Sequence, residues 1–214
     1  MKVIQFSGSD ISKMETRQRA AFMNSLTGFK SASLIGTIDK NENTNLSIFS
    51  SVTHLGSNPA LIGFINRPDT TERHTFENIL DVGQFTISHI NTAIFQKAHQ
   101  TSARYPKEVS EFEAVGLTPE FLPGFRAPFV QESSIKYGLA YVEHHQLNIN
   151  GTILVIGKVI EVVLPESCLR ADGSIDVERA QTVAISGLDG YHSTEQIARL
   201  SYAKTDKLPT QITD

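Results

Sequence analysis

What most constrains this chain is the order of its β-rich segments, which follow one another without regular alternation with helices. Ile135 to His144 and Thr152 to Leu164 are two long β-rich stretches, and Asn148-Ile149-Asn150-Gly151 between them has turn chemistry. Upstream, Ser33 to Ile38 and Thr44 to Val52 flank the polar turn Asp39 to Asn43 and predict a hairpin. Ala60 to Ile65 reads as a buried strand between the breakers Ser57-Asn58-Pro59 and Arg67-Pro68, and Phe85 to Ile90 alternates with period 2. Helical patterns are fewer. One runs from the S-x-x-E pattern of Ser12 to Glu15 toward Leu26 and closes near Gly28; others cover Thr75 to Leu80 and Thr92 to Gln100. Such a pattern predicts a mainly antiparallel barrel with helical excursions, because closing a sheet protects its edge strands.

The remaining segments are less regular. Residues 101 to 134 hold Pro106, Pro119, Pro123 and Pro128 among scattered phenylalanines, which predicts an ordered excursion with little regular structure. Asp172-Gly173 marks a turn, Val177 to Ala180 a helical turn, Thr182 to Tyr191 an irregular surface path, and Thr205 to Asp214 a frayed end. With no internal repeat and no break in composition, residues 1–214 are expected to form one domain. Its barrel core is placed at about 20–165 and a C-terminal extension at 166–214.

Composition narrows the classes of function. At 40% hydrophobic and 20% charged residues the chain can build a packed core, and wholesale disorder is excluded. Nineteen Lys and Arg against 23 Asp and Glu leave a charge of -4, the wrong sign for a dedicated nucleic-acid binder. Apolar runs stop far short of the ~20 residues that cross a bilayer, and Lys2 and Gln5 interrupt the opening before a signal-peptide core forms. A single cysteine, Cys168, permits no internal disulfide and fits a reducing, cytoplasmic setting.

Several chemistries lack their motifs. G-x-x-x-x-G-K-[ST], G-x-G-x-x-G and G-x-S-x-G do not occur, so a nucleotide triphosphatase, a Rossmann site and a nucleophile elbow are unsupported. The seven histidines have no metal-ligand spacing, and His144 and His145 would point to opposite faces of a strand. No metal and no side-chain nucleophile is expected.

Residues 44 to 78 carry the positive signal. Strand alternation puts Asn45, Ser47, Phe49 and Ser51 on one face, with Leu46, Ile48, Ser50 and Val52 on the other. This is either a sheet with one wet face or a ligand wall. Hydroxyls at Ser50, Ser51 and Thr53 near a strand end can hydrogen-bond a phosphate without a glycine loop. Arg67, Arg73 and His74 lie just beyond the next strand, and an arginine fork matches phosphate oxygens in two-point geometry.

The run Asn45-Leu46-Ser47-Ile48-Phe49-Ser50-Ser51, then Ser57-Asn58-Pro59-Ala60-Leu61-Ile62-Gly63-Phe64, Arg67-Pro68, and Arg73-His74-Thr75-Phe76-Glu77-Asn78-Ile79 resembles the flavin reductase-like, FMN-binding split-barrel family. The likeness continues through Gly83 to Ser88, and Arg199 to Lys204 is similar to C-terminal segments of relatives. This resemblance implies a mainly β fold, a six-stranded Greek-key split β-barrel with peripheral helices, as a homodimer holding FMN near the subunit interface. It implies cofactor contacts at Asn45, Ser47, Phe49, Ser50, Ser51, Val52 and Thr53 on the strand and its exit, and at Arg67, Arg73, His74 and Thr75 on the loop. The activity implied is hydride transfer from NAD(P)H to flavin N5, with delivery of electrons to an acceptor, a partner oxygenase among the choices, or release of reduced flavin. Two other readings keep the fold: a flavoredoxin-like electron carrier, and a pyridoxamine-phosphate-oxidase-like enzyme.

Overall fold

The computed structural model describes residues 2–68 and 74–212. Ser7, rather than Ser12, opens the first helix, α1 (Gly8–Lys13). Its hydroxyl accepts from the Asp10 N–H at 3.2 Å while the Asp10 carboxylate accepts from the Ser7 N–H at 2.8 Å, so two helix-end donors are satisfied reciprocally. The extended ψ of Met14 separates α1 from α2 (Thr16–Leu26), whose first amides, those of Arg17 and Gln18, donate to the Glu15 carboxylate. Glu15 therefore caps by itself instead of pairing with Ser12. Gly28, at φ 70°, ends this segment.

The strands follow from β1 (Lys30–Ser31) into β2 (Ser33–Ile38), which is buried throughout. Asp39 makes the reversal: its carboxylate accepts from the Asn41 and Asn43 amides at 2.8 and 2.9 Å and returns the chain as β3 (Thr44–Phe49). The chain then bends at Ser50 rather than continuing extended to Val52. A second hairpin joins β4 (Thr53–Ser57) to β5 (Ala60–Asn66), and α3 (His74–Val82) leads to β6 (Gln84–His89). α4 (Phe95–Gln100) lies within the helix predicted over Thr92 to Gln100, and the proline-rich excursion after it carries α5 (Glu111–Val115), β7 (Pro119–Glu120) and β8 (Phe129–Val130). Two long strands, β9 (Lys136–Gln146) and β10 (Ile153–Val163), follow.

The principal sheet has the order β3-β2-β6-β9-β10-β5-β4, with every pairing antiparallel. It holds seven strands where six were expected, because the chain after Ser50 pairs as a separate strand along β5. Only Gly63, Phe64 and Asn66 of β5 are buried, since the strand lies next to exposed β4 at the sheet margin. Adjacent residues of β2 serve two cores on opposite faces of the sheet. Ile35 packs with Phe64, Phe85, Leu139 and Val155, whereas Leu34 packs with Leu46, Ile90, Phe112 and Ile185.

The C-terminal part is more ordered than its sequence suggests. Thr182 to Tyr191 contains β11 (Ala184–Ser186), which pairs with β12 (Gly190–His192) and with β1. The last described residues are not frayed: Ser201 N–H donates to Thr210 O at 2.9 Å and Ile212 N–H to Arg199 O at 3.0 Å, so the tail pairs with itself. None of the described helices is long and apolar enough to cross a membrane.

Candidate functional site

The carboxyl end of β3 opens onto a cavity of about 830 Å³. Its near wall is the strand itself and the bend after it: Asn45, Ser47, Phe49, Ser50 and Ser51. The end of β5 adds Ile65, Asn66 and Arg67, and the start of α3 adds His74 and Thr75. Eight of the residues expected at the cofactor thus line one space.

Their side chains are differently committed. Asn45 is buried, and its amide nitrogen donates to Thr37 Oγ1 and to Thr75 Oγ1, both at 3.1 Å, so Asn45 and Thr75 tie β2, β3 and α3 together beneath the wall. Phe49 packs edge-on against Phe64 with ring centroids 4.9 Å apart. The Ser51 hydroxyl donates to Ile65 O at 3.2 Å and accepts from Ile65 N–H at 3.1 Å, which occupies it with β5. Val52 packs onto the core of Ile35 and Phe64 instead of the cavity, and Thr53 is exposed on β4 opposite Gly63, also off the wall. Arg73 lies outside the described residues. Ser47, Ser50 and exposed Arg67 remain as polar groups facing the space from this side.

The far wall comes from segments that sequence alone did not single out. The last turn of α4 contributes His99, and the chain after it Thr101, Ser102, Arg104 and Tyr105; α5 contributes Glu111; the β11–β12 turn contributes Leu188 and Asp189; α2 contributes Asn24. Glu111 has a clear structural cause. Since β3 is the terminal strand of the sheet, its outward amides have no neighbouring strand, and the buried Glu111 carboxylate accepts the Leu46 N–H at 2.9 Å. Burial raises the Glu111 pKa, against the lowering effect of its backbone hydrogen bonds and of nearby His74. His99 Nδ1 lies 3.0 Å from the Tyr191 hydroxyl, whose pKa burial and the charge of Asp189 push up to about 12.

No cluster of three or more potential metal ligands occurs among the described residues, and buried Cys168 packs with Ile135 and Ala180, off the cavity wall. Residues 29–176 match the model of the flavin reductase like domain. The chain belongs to the flavin reductase-like family. This flavin reductase-like protein is similar to a flavin reductase candidate with a split barrel domain from Shewanella frigidimarina NCIMB 400. The two are 56% identical, with a TM-score of 0.91 over 94% of this chain and 100% of that one. It is also similar to flavoredoxin of Desulfovibrio vulgaris (Miyazaki F), at 26% identity and a TM-score of 0.68 over 83% and 91% of the two chains. An uncharacterized protein of Aquifex aeolicus is 32% identical over 139 residues, 62% of this chain and 70% of the relative. The mainly β, split-barrel fold of the flavin reductase-like family is the one seen here, with a seventh strand added at the margin.

Proposed function

We propose that this protein binds FMN in the cavity at the end of β3 and acts as a flavin reductase, with NADH or NADPH as the hydride donor. One observation carries the reading: a single cavity of about 830 Å³ is walled by the Ser47 and Ser50 hydroxyls, the Phe49 ring and the Arg67 guanidinium. Arg67 forms no ion pair among the described residues, so its fork is open to an anion. That donor set fits a ribityl monophosphate: a guanidinium and a hydroxyl for the phosphate oxygens, and an apolar ring beside them. When bound, FMN supplies the hydride acceptance and electron delivery that protein side chains cannot.

The residues of this chain bind and position. Ser50 and Arg67 hold the phosphate, and Ser47 donates or accepts along the same wall. Ser51 fixes the bend to β5, Asn45 and Thr75 fix the base of the site, and Glu111 holds the edge of β3 straight. Phe49, packed on Phe64, keeps water from that side of the cavity. No side-chain nucleophile is needed. We infer further that two copies pair, because Ile197 just before the self-paired tail and Tyr202 and Leu208 within it are 98%, 88% and 85% exposed, a large apolar surface for a lone chain.

Anaerobic addition of NADH or NADPH to FMN-loaded protein tests the activity. Bleaching of the flavin absorbance on a catalytic timescale supports a reductase. Stable binding of FMN without bleaching by either nucleotide contradicts it and leaves an electron carrier.

A further inference from the structure

We infer that Arg104 is the binding residue for a second phosphate monoester, the 2′-phosphate of NADPH, and that the cavity therefore selects NADPH over NADH. This rests on the flavin reductase reading above. The cavity wall carries two guanidinium groups among the described residues, Arg67 at the end of β5 and Arg104 after α4, and neither forms an ion pair there. FMN brings only one phosphate. Arg67 and Ser50 belong together, since the paired bonds of Ser51 to Ile65 hold the bend after β3 against the strand that ends just before Arg67. Arg104 comes from a different element and is left for another anion.

The turn that presents Arg104 is held in one shape. Thr101 is buried with its hydroxyl donating to Ala98 O at 2.8 Å, and the Ser102 and Ala103 amides donate to His99 O and Gln100 O at 3.0 and 3.1 Å. The Gln100 amide nitrogen donates to the Tyr105 hydroxyl at 3.1 Å across the turn. With the backbone of the turn already fixed, anion binding at Arg104 orders only the side chain, so less of the attraction is lost to ordering the loop. Ser102, on the same wall two residues away, is a neutral donor for a further oxygen. The acids of this cavity do not neutralise Arg104: Glu111 is engaged with Leu46 N–H, and Asp189 makes no ion pair with it.

Two features favour a monoester over the pyrophosphate shared by both dinucleotides. A phosphate monoester offers three terminal oxygens and nearly two negative charges, which an arginine fork with an adjacent hydroxyl can satisfy together. Arg104 is also an exposed residue of the cavity lining, so it can meet the adenosine end of a long donor whose nicotinamide end reaches inward.

Calorimetric titration of FMN-loaded protein with 2′,5′-ADP and with 5′-AMP tests this without any redox step. Wild type is expected to bind 2′,5′-ADP about tenfold more tightly than 5′-AMP, Arg104→Ala to lose that preference, and Arg104→Lys to keep part of it. In anaerobic reduction the ratio of kcat/KM for NADPH to that for NADH is expected to fall about tenfold in Arg104→Ala. Equal binding of the two fragments by wild type, an equal loss with both donors in Arg104→Ala, or a fall in FMN affinity in Arg104→Ala matching that in Arg67→Ala would each overturn the inference. Absence of bleaching by both nucleotides counts against the reductase reading alone, because the fragment titration still reports on Arg104.

Discussion

Ser51 is bonded twice to Ile65, its hydroxyl donating to the carbonyl at 3.2 Å and accepting from the amide at 3.1 Å. One side chain thereby does the work of a short strand, fastening the bend after β3 to β5. Its neighbour Ser50 lines the same cavity without taking part in that fastening. Adjacent hydroxyls that look equivalent in sequence therefore have separate roles. Ser51→Ala leaves the Ile65 backbone groups without partners and is expected to cost about 1–3 kcal/mol of unfolding free energy. Ser50→Ala is expected to change stability by no more than about 0.5 kcal/mol while weakening FMN binding. Urea unfolding and flavin titration of both variants check the split; equal destabilisation by the two would contradict it.

Glu111 and the Leu46 amide predict a pH effect. The folded Glu111 pKa is raised by burial above its ordinary 4.5, so the folded chain holds the proton more tightly than the unfolded one. The associated stability is fully present below pH 4.5 and is lost as pH rises through the folded value. Glu111→Gln keeps an acceptor for Leu46 N–H and removes the charge, so it is expected to abolish that decline and to unfold no more easily than wild type at pH 7. Glu111→Ala orphans the amide and is expected to cost about 1–3 kcal/mol at pH 7. Unfolding curves at pH 4 to 8 report both.

His89 acts with the opposite sign. Burial against Tyr137 pushes its pKa from 6.5 down to about 4, so the unfolded chain binds the proton first. Stability tied to neutral His89 is complete above pH 6.5 and falls as pH drops toward 4. His89→Gln is expected to flatten the decline across that window, as measured by thermal unfolding at intervals of half a pH unit. An unchanged slope in the variant would assign the acid loss to other groups.

Gly157 on β10 lies under the Phe85 ring: a Cβ there would stand 2.6 Å from Phe85 Cζ and 3.0 Å from Leu139 Cβ. Gly157→Ala is expected to destabilise by about 1–3 kcal/mol through overpacking. Gly157→Ala combined with Phe85→Leu should recover part of that loss if the ring is the obstacle, and no recovery would place the strain elsewhere.

The parts of the fold that were legible in sequence are those set by neighbouring residues. The Asp39 reversal, the period-2 pattern of Phe85 to Ile90 and the turn before β10 are local, and the strands beside them stand where their patterns put them, apart from the early end of β3 at Phe49. β4 was missed because its burial is uniformly low and carries no alternation. Near the site, Asn45, Ser47, Phe49, Ser50 and Ser51 are close in sequence, as are Arg67, His74 and Thr75, and these described residues gather on one wall. Alternation alone put Ser50 with Leu46 and Ile48, facing away from Ser51; the bend at Ser50, invisible in composition, turns it to the cavity. His99, Arg104, Glu111 and Leu188 reach the far wall only through long-range packing of α4, α5 and the β11–β12 turn, which no local pattern encodes.

Equilibrium titration of apo-protein with FMN, followed by the change in flavin absorbance, tests the central claim most directly. The predicted result is saturation near one FMN per chain in wild type, with affinity reduced about tenfold or more in Arg67→Ala and in Ser50→Ala, both still folded. Failure of wild type to bind FMN, or affinity unchanged in both variants and in their combination, would contradict the placement of the phosphate between the bend after β3 and the end of β5.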